Sequence, residues 1–379
     1  MADVRTLEAP VVIIGGGIVG CAAAYYLACR GVRAVLLERS VIAAEASGRN
    51  GGGVRAQCRD RRERRLAMAS IKLWEGLQAE LGADVEYVQA GNIRLAATEE
   101  RMAQLVSEAE EELADGLQVE VWDRQQLRRR APYLSGAFVG AKYCATDGIA
   151  NPILATWAFA QAARRNGATL LTHTQAVEVQ VERGQVAGVR ARGPQGELKI
   201  ETPFLIHAAG PWTPELALGL GIHIPVEPAR SVVVVTQPMP LIFKEFVSSH
   251  DFGIYARPAR KGHIHIGGVT IKTGSFDKEV TLEAMTHMAR SVLMVPALQK
   301  ANFLRAWAGT LAMTPDRVPV IGPVDGIRGY LLASGFSGHG FCLGPIVGKL
   351  LSELVLEGEP SLSLDDLRLA RFADTPTQP

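Results

Sequence analysis

The sequence predicts an α/β protein in which a nucleotide-binding domain is interleaved with a β-rich α+β domain, and three observations carry this reading. An apolar strand, a glycine-rich turn, an alanine-rich helix and a second apolar strand follow one another over residues 11–38. Residues 167–191 alternate apolar and polar positions as strands and hairpins do, and residues 222–310 read mostly as strands with one helix near 281–294. From residue 329 the chain returns to strand, glycine loop and helix. An order of α/β, β-rich, then α/β requires a first domain assembled from separate segments. The expected division is 1–85, 147–220 and 305–379 for that domain and 86–146 and 221–304 for the other, with a disordered tail at 373–379.

The opening unit reads VVIIGGGIVGCAAAYYLACRGVRAVLLERS. A β-rich run at 11–14 ends in a G-x-G-x-x-G turn at Gly15, Gly17 and Gly20, and the chain enters a helix through Ile18 that runs to about residue 30. A second strand at 34–37 ends in Glu38, followed by Arg39. Gly15 turns the chain, Gly17 lets a pyrophosphate approach the backbone, and Gly20 lets helix and strand pack closely. The helix N-terminus faces the phosphates. Glu38 is placed to bind ribose hydroxyls and would repel a 2′-phosphate. This order within about 30 residues marks a dinucleotide site, which NAD and FAD share.

Composition narrows the partners. Forty basic residues against 39 acidic ones leave a net charge of +1, so no general attraction to nucleic acid or anionic membrane is encoded. The basic run RDRRERR (59–65) and the triplet at 128–130 read as solvated helix faces or an intersubunit patch, and the acidic run at 108–115 as the exposed side of a helix. Five cysteines (21, 29, 58, 144 and 342) lack C-x-x-C spacing, so neither a zinc site nor an iron–sulfur cluster is expected from this chain. Their usage suits a reducing cytoplasm. Residues 11–29 are apolar enough to imitate a membrane span, but the glycines of the dinucleotide turn interrupt them.

Helices are expected at 59–81, 98–115 and 153–165, and short strands at VEYVQ (85–89) and NIRLAAT (92–98). Between the first unit and the helix at 59 lies SGRNGGGVRAQ (47–57), three consecutive glycines flanked by Arg49 and Arg55. Such a run costs backbone entropy on ordering, and an arginine beside it awaits an anion.

These motifs, taken with DGIANP (147–152), HAAGPW (207–212), TPDRVPVIGP (314–323) and SGFSGHGF (334–341), resemble the FAD-dependent D-amino acid oxidase superfamily over nearly the whole length. The resemblance is to its glycine and sarcosine oxidase branch, most of all to the β subunits of heteromeric sarcosine oxidase and of proline, hydroxyproline and opine dehydrogenases. It implies a Rossmann-like, glutathione-reductase-type FAD domain and a β-rich substrate domain. In that family the loop after the acidic residue runs beneath the flavin, so Gly51, Gly52 and Gly53 would lay bare backbone against the ring. Arg55 would take the substrate carboxylate. Ser47, Arg49 and Asn50 would bind pyrophosphate or fix the loop, and Val177, Gly210 and Trp212 would complete the cofactor contacts. Gly335, Gly338, Gly340 and Phe341 would bring the amides of a helix start to the flavin. His339 either touches substrate or is structural.

Departures from the family pattern refine the expectation. Monomeric sarcosine oxidases attach FAD through a cysteine five residues before TPD; Gly309 stands there, so FAD should be noncovalent. Their carboxylate-binding lysine after GHG is Cys342, and the corresponding arginine of glycine oxidases is Leu311. Arg55 is then the principal anchor, with Tyr255 and Arg257 of YARP as helpers. The lysine that activates oxygen aligns with His265, which shares a strand face with His263. The resemblance therefore implies a dehydrogenase subunit that oxidises the C–N bond of an amino acid by hydride transfer to flavin N5. Its substrate would be a secondary amine such as sarcosine, proline, hydroxyproline or an opine. Its electrons would leave to partner subunits, which can include an iron–sulfur protein. A self-sufficient glycine or D-amino acid oxidase and a flavin-bearing relay subunit are the alternatives. A cytoplasmic location without a membrane span is expected.

Overall fold

The computed structural model describes residues 5–373, so the expected disordered tail lies outside the described residues but for Ala373. A six-stranded sheet runs in the order Val320–Pro323, Tyr330–Ser334, Leu205–His207, Val12–Ile14, Val35–Leu37 and Thr169–Leu171. All neighbours are parallel except the first pair. The four strands from Tyr330–Ser334 to Val35–Leu37 are buried along their whole length, as a parallel sheet covered on both faces requires. Because they are parallel, the chain leaves Ile14, Leu37, His207 and Ser334 at one edge. The glycine turn, Glu38, the HAAGPW turn and the GFSGHG loop are gathered there from distant parts of the sequence. That carboxyl edge is where open α/β sheets bind ligands.

The helix Ile18–Cys29 is buried except for Tyr26 and Cys29, packed between Pro152–Arg165 and Gly340–Leu356. Its alanines let the neighbours approach to backbone distance. A Cβ on Gly348 would stand 2.5 Å from Cβ of Ala22, and one on Gly344 2.7 Å from a side-chain carbon of Ile18. Ser70 and Trp74, from the helix Arg61–Leu81, donate to the carbonyl of Cys342. The helix that begins after His339 is thereby held on two sides.

The second sheet has eight strands, in the order Phe303–Met313, Glu227–Thr236, Ile264–Lys272, Ile254–Pro258, Phe246–Ser249, Asn92–Ala96, Gly140–Cys144 and Glu120–Asp123. Only Phe246–Ser249 and Asn92–Ala96 pair in parallel. A four-stranded sheet of Arg5–Glu8, Gly196–Glu201, Gln185–Gly193 and Gln175–Glu182 completes the architecture, with a two-stranded pair described below. Strand Phe303–Met313 belongs to the eight-stranded sheet, so the expected boundary at 305 falls inside a strand.

Three local expectations fail for identifiable reasons. Arg59 and Arg64 are buried, not solvated, and Glu63 is fully buried. Arg64 pairs with Asp115. Glu112, expected on an exposed face, is buried against Lys142, whose Nζ lies 2.9 Å from both Glu108 and Glu112. The helices Arg61–Leu81 and Glu99–Ala114 meet through these charges, and a charge run in sequence carries no sign of the partner that faces it. Arg128, Arg129 and Arg130 are exposed at a helix end as expected. VEYVQ forms no strand, only a bridge from Val88 to Ile149, because Glu86 adopts a positive φ of 54° that breaks an extended run.

Candidate active site

The carboxyl edge of the six-stranded sheet opens on a trough of about 330 Å³ lined by the glycine turn, Glu38, Arg39, Ser47, Val177 and the turn from Ala208 to Trp212. A Cβ on Gly15 would stand 2.3 Å from the carbonyl oxygen of Ala208, and one on Gly20 2.1 Å from that of Gly15, so neither position admits a side chain. At Gly17 only Ser47 Oγ, at 3.0 Å, bounds the same space, leaving the approach a phosphate needs. Ser47 Oγ accepts from the Ile18 N–H at 2.9 Å. Glu38 accepts from the N–H groups of Gly16 and Ser40, both at 2.7 Å, which fixes its carboxylate at the strand end. Bare backbone in the middle and a fixed acid beside it fit the pyrophosphate and ribose of a dinucleotide. Val177, on the strand Gln175–Glu182, is part of the wall as expected.

The mouth of the trough has a feature that sequence reasoning missed. The guanidinium of Arg39 lies 3.5 Å over the Trp212 ring, and Phe276 stacks on the same indole at 4.8 Å. Lys278 pairs with Glu45 at 2.7 Å. Phe276 and Lys278 reach over from the other domain, so only tertiary structure reveals them.

A second cavity adjoins the first, sharing Gly17, Ser47, Gly210 and Pro211 with it and extending to Asn50, Leu311, Phe336, Gly338, Gly340 and Phe341. Here the expected flavin-end glycines divide by role. Gly338 (φ +92°) faces the cavity, whereas a Cβ on Gly335 (φ +71°) would stand 2.4 Å from Thr314 and one on Gly340 3.0 Å from Phe336. Gly335 serves packing, while Gly340 packs on Phe336 and also lines the cavity.

The glycine loop is built by its neighbours. Arg49 donates to the carbonyls of Ala44 and Ala308, and Trp307 Nε1 donates to the Arg49 carbonyl. Asn50 donates to the carbonyls of Ala46 and Ser47 and accepts from the Gly52 N–H. Both side chains fix the loop. The reason expected for the three glycines needs correction: the space their side chains would take is filled by the protein itself. A Cβ on Gly51 would stand 2.2 Å from the Tyr255 hydroxyl, one on Gly52 (φ +73°) 2.3 Å from the Ala150 carbonyl, and one on Gly53 2.9 Å from Arg55 Nε. The DGIANP motif explains itself at the same place. Gly53–Val54 pairs with Gly148–Ile149, Asp147 Oδ1 accepts from the Ala56 N–H at 2.7 Å, and Asn151 caps the helix Pro152–Arg165.

Arg257 fixes the glycine loop. Its Nε donates to the Gly51 carbonyl at 2.5 Å, one terminal nitrogen donates to the Pro258 carbonyl, and the other lies 3.3 Å from His265 Nδ1. His265 meets the edge of Trp307 and is held neutral: burial, then Arg257, His263 and Arg305, bring its pKa down to about 2. Tyr255 stacks on Phe246 at 4.9 Å. Arg55 follows the loop with its guanidinium 4.7 Å over the Phe246 ring. Among the described residues it forms no ion pair, and its Nε has no hydrogen-bond partner. Burial and the nearby charges of Arg59 and Arg94 disfavour its charged form, bringing its pKa down to about 10. Asp147 is the nearby carboxylate that favours the charged form, without forming an ion pair with it. His339 Nδ1 lies 2.6 Å from Glu63 Oε1.

The family model described as FAD dependent oxidoreductase, DAO, matches residues 10–354. The chain belongs to this family. It is 30% identical to the hydrogen cyanide synthase subunit HcnC of Pseudomonas aeruginosa, over 97% of each chain. The structure of L-proline dehydrogenase from P. horikoshii superposes with a TM-score of 0.91 at 30% identity, covering 98% of this chain and 100% of that one. Glycine oxidase from Geobacillus kaustophilus follows with a TM-score of 0.90 at 27% identity, covering 96% and 99%. The protein is thus an FAD-dependent oxidoreductase acting on amino-acid C–N bonds. No described helix is long and apolar enough to cross a membrane.

Gly309 has no side chain through which flavin could be attached, and a Cβ there would stand 3.0 Å from Cβ of Arg49. Acid precipitation is therefore expected to release all of the flavin as free FAD. Yellow colour retained in the washed pellet would show a covalent link.

Proposed function

We propose that this chain is the FAD-bearing dehydrogenase subunit of a complex that oxidises a secondary-amine amino acid such as sarcosine, proline, hydroxyproline or an opine. The observation that carries the reading is Arg55, a guanidinium with an unpartnered Nε and no ion pair among the described residues, at the end of the loop that borders the flavin cavity. A charge-assisted, bidentate pair with the substrate carboxylate supplies the ion pair it lacks. Phe246, buried under that guanidinium and against Tyr255, holds the Arg55 head in place. Bound FAD supplies the hydride acceptor. The chain's own contribution is to orient the substrate by its carboxylate and to hold the loop rigid through Arg49, Asn50 and Arg257. The name of HcnC as a subunit, and the proline dehydrogenase likeness, support the complex and the substrate class.

Electron exit to a partner is supported by His265, neutral where related oxidases carry an ammonium to stabilise developing superoxide. Reduced protein in aerated buffer should reoxidise far more slowly than it turns over with an artificial dye, and His265→Lys should speed that reaction. Reoxidation as fast as dye-linked turnover, with stoichiometric hydrogen peroxide, would establish a self-sufficient oxidase instead. One observation favours that second reading: Arg257 is a cation 3.3 Å from His265.

A further inference from the structure

Glu63 is fully buried, and neither of its oxygens accepts a hydrogen bond from a described residue. Its close neighbour is His339, whose Nδ1 stands 2.6 Å away without the alignment of a hydrogen bond. A carboxylate is costly to bury without strong compensation. The pair sits beside the proposed site. Gly338 and Phe341, which flank His339, line the flavin-end cavity, and the thiol of Cys342, in the first turn of the same helix, lies against the Arg55 backbone. The His339 side chain is 24% exposed, and with Nδ1 turned to Glu63 the opposite edge of the ring carries Nε2.

We propose that His339, positioned by Glu63, accepts the proton that the substrate's ammonium group must lose before oxidation. The inference rests on the amine-oxidising function proposed above. At neutral pH an amino acid arrives with its nitrogen protonated and its lone pair blocked. The N–H bond breaks, the proton goes to Nε2, and the imidazolium is balanced by the Glu63 carboxylate across Nδ1. The freed lone pair then forms the C=N bond as the α-hydrogen leaves as hydride, the step for which FAD is the acceptor; water afterwards hydrolyses the iminium. The charged groups facing His339 are Glu63, Arg59 and Arg55, and burial and Arg59 outweigh Glu63 to lower its pKa, so the ring is neutral and able to accept. Glu63 acts through His339 and is a positioning residue.

The test is the limiting rate of anaerobic flavin reduction by a saturating amino acid, followed from about pH 4.5 to about pH 10, which spans a lowered imidazole range and the ammonium range. His339→Asn should be slower by about 100-fold at neutral pH, Glu63→Gln by less, with FAD content unchanged in both. The deficit should close as rising pH delivers the amine already deprotonated. In the wild type alone, the rate should rise through a pKa below the ordinary imidazole value of about 6.5. A deficit that is absent or independent of pH overturns the proposal, as does a wild-type rate that tracks only the substrate's own ammonium. A wild type that no amino acid reduces overturns the amine-oxidising function, and this proposal with it.

Discussion

Arg55→Ala is expected to lower kcat/KM by a factor of about 30 to several thousand, the loss of about 2–5 kcal/mol of transition-state binding when one partner of a desolvated ion pair is removed. FAD content should not change, because Arg55 Nε lies against Gly53 and its guanidinium over Phe246, away from the trough that Gly15, Gly17 and Ser47 line. Arg55→Lys should recover only part of the activity, since an ammonium restores charge but not the planar fork that matches a carboxylate. Removing Arg59 and Arg94 as like-charged neighbours would not imitate the effect, for neither stands over the Phe246 ring. Near-native kcat/KM in the alanine variant would take Arg55 out of the site, and loss of FAD would move it to the cofactor.

Lys142→Met is expected to destabilise the folded chain by about 3–5 kcal/mol, the cost of leaving buried charge without its partner. Lys142 is fully buried between Glu108 and Glu112, and Glu112 is itself 1% exposed. Burial acts to lower the lysine pKa, but Cys58, Glu112 and Glu108 overcome it and raise the pKa on balance. A raised lysine pKa contributes stability that is complete below the unfolded value, about 10.4, and disappears as pH climbs through the folded one. Burial raises the Glu108 pKa, but Lys142 and Arg101 outweigh it and lower it on balance, so its share is present above about 4.3 and fades as pH falls through the folded value. Denaturant unfolding with FAD saturating in both proteins is the measurement, because cofactor binding otherwise shifts the apparent stability. A change below about 1 kcal/mol would show that the three groups are not a closed network.

What was legible in the sequence, and what was not, follows from where the partners of each residue lie. The first βαβ unit is readable because the groups that meet Gly20 and Glu38 lie within the same 30 residues, although the carbonyl that closes on Gly15 comes from Ala208. Arg55 stands out in the sequence because it follows a run of three glycines. The glycines themselves were read with the right backbone and the wrong cause: Tyr255 and Ala150, which occupy their side-chain space, come from distant strands and turns. The bond from Arg257 to the Gly51 carbonyl joins residues 206 apart and has no sign in the local sequence. Charge runs misled for the same reason, since only the packing of Arg61–Leu81 against Glu99–Ala114 decides that Arg64 is inside and Arg65 outside. Glu63 and Phe276 carried no local signal at all.

The most direct measurement of the central claim is the visible flavin spectrum of the purified protein, mixed anaerobically with sarcosine, proline, hydroxyproline or an opine, and with matched secondary amines that lack the carboxylate. The account predicts that at least one of the amino acids bleaches the flavin, that its carboxylate-free counterpart does not, and that Arg55→Ala abolishes the difference. Bleaching by dithionite but by none of the amino acids, or equal bleaching by the amine without its carboxylate, would contradict it.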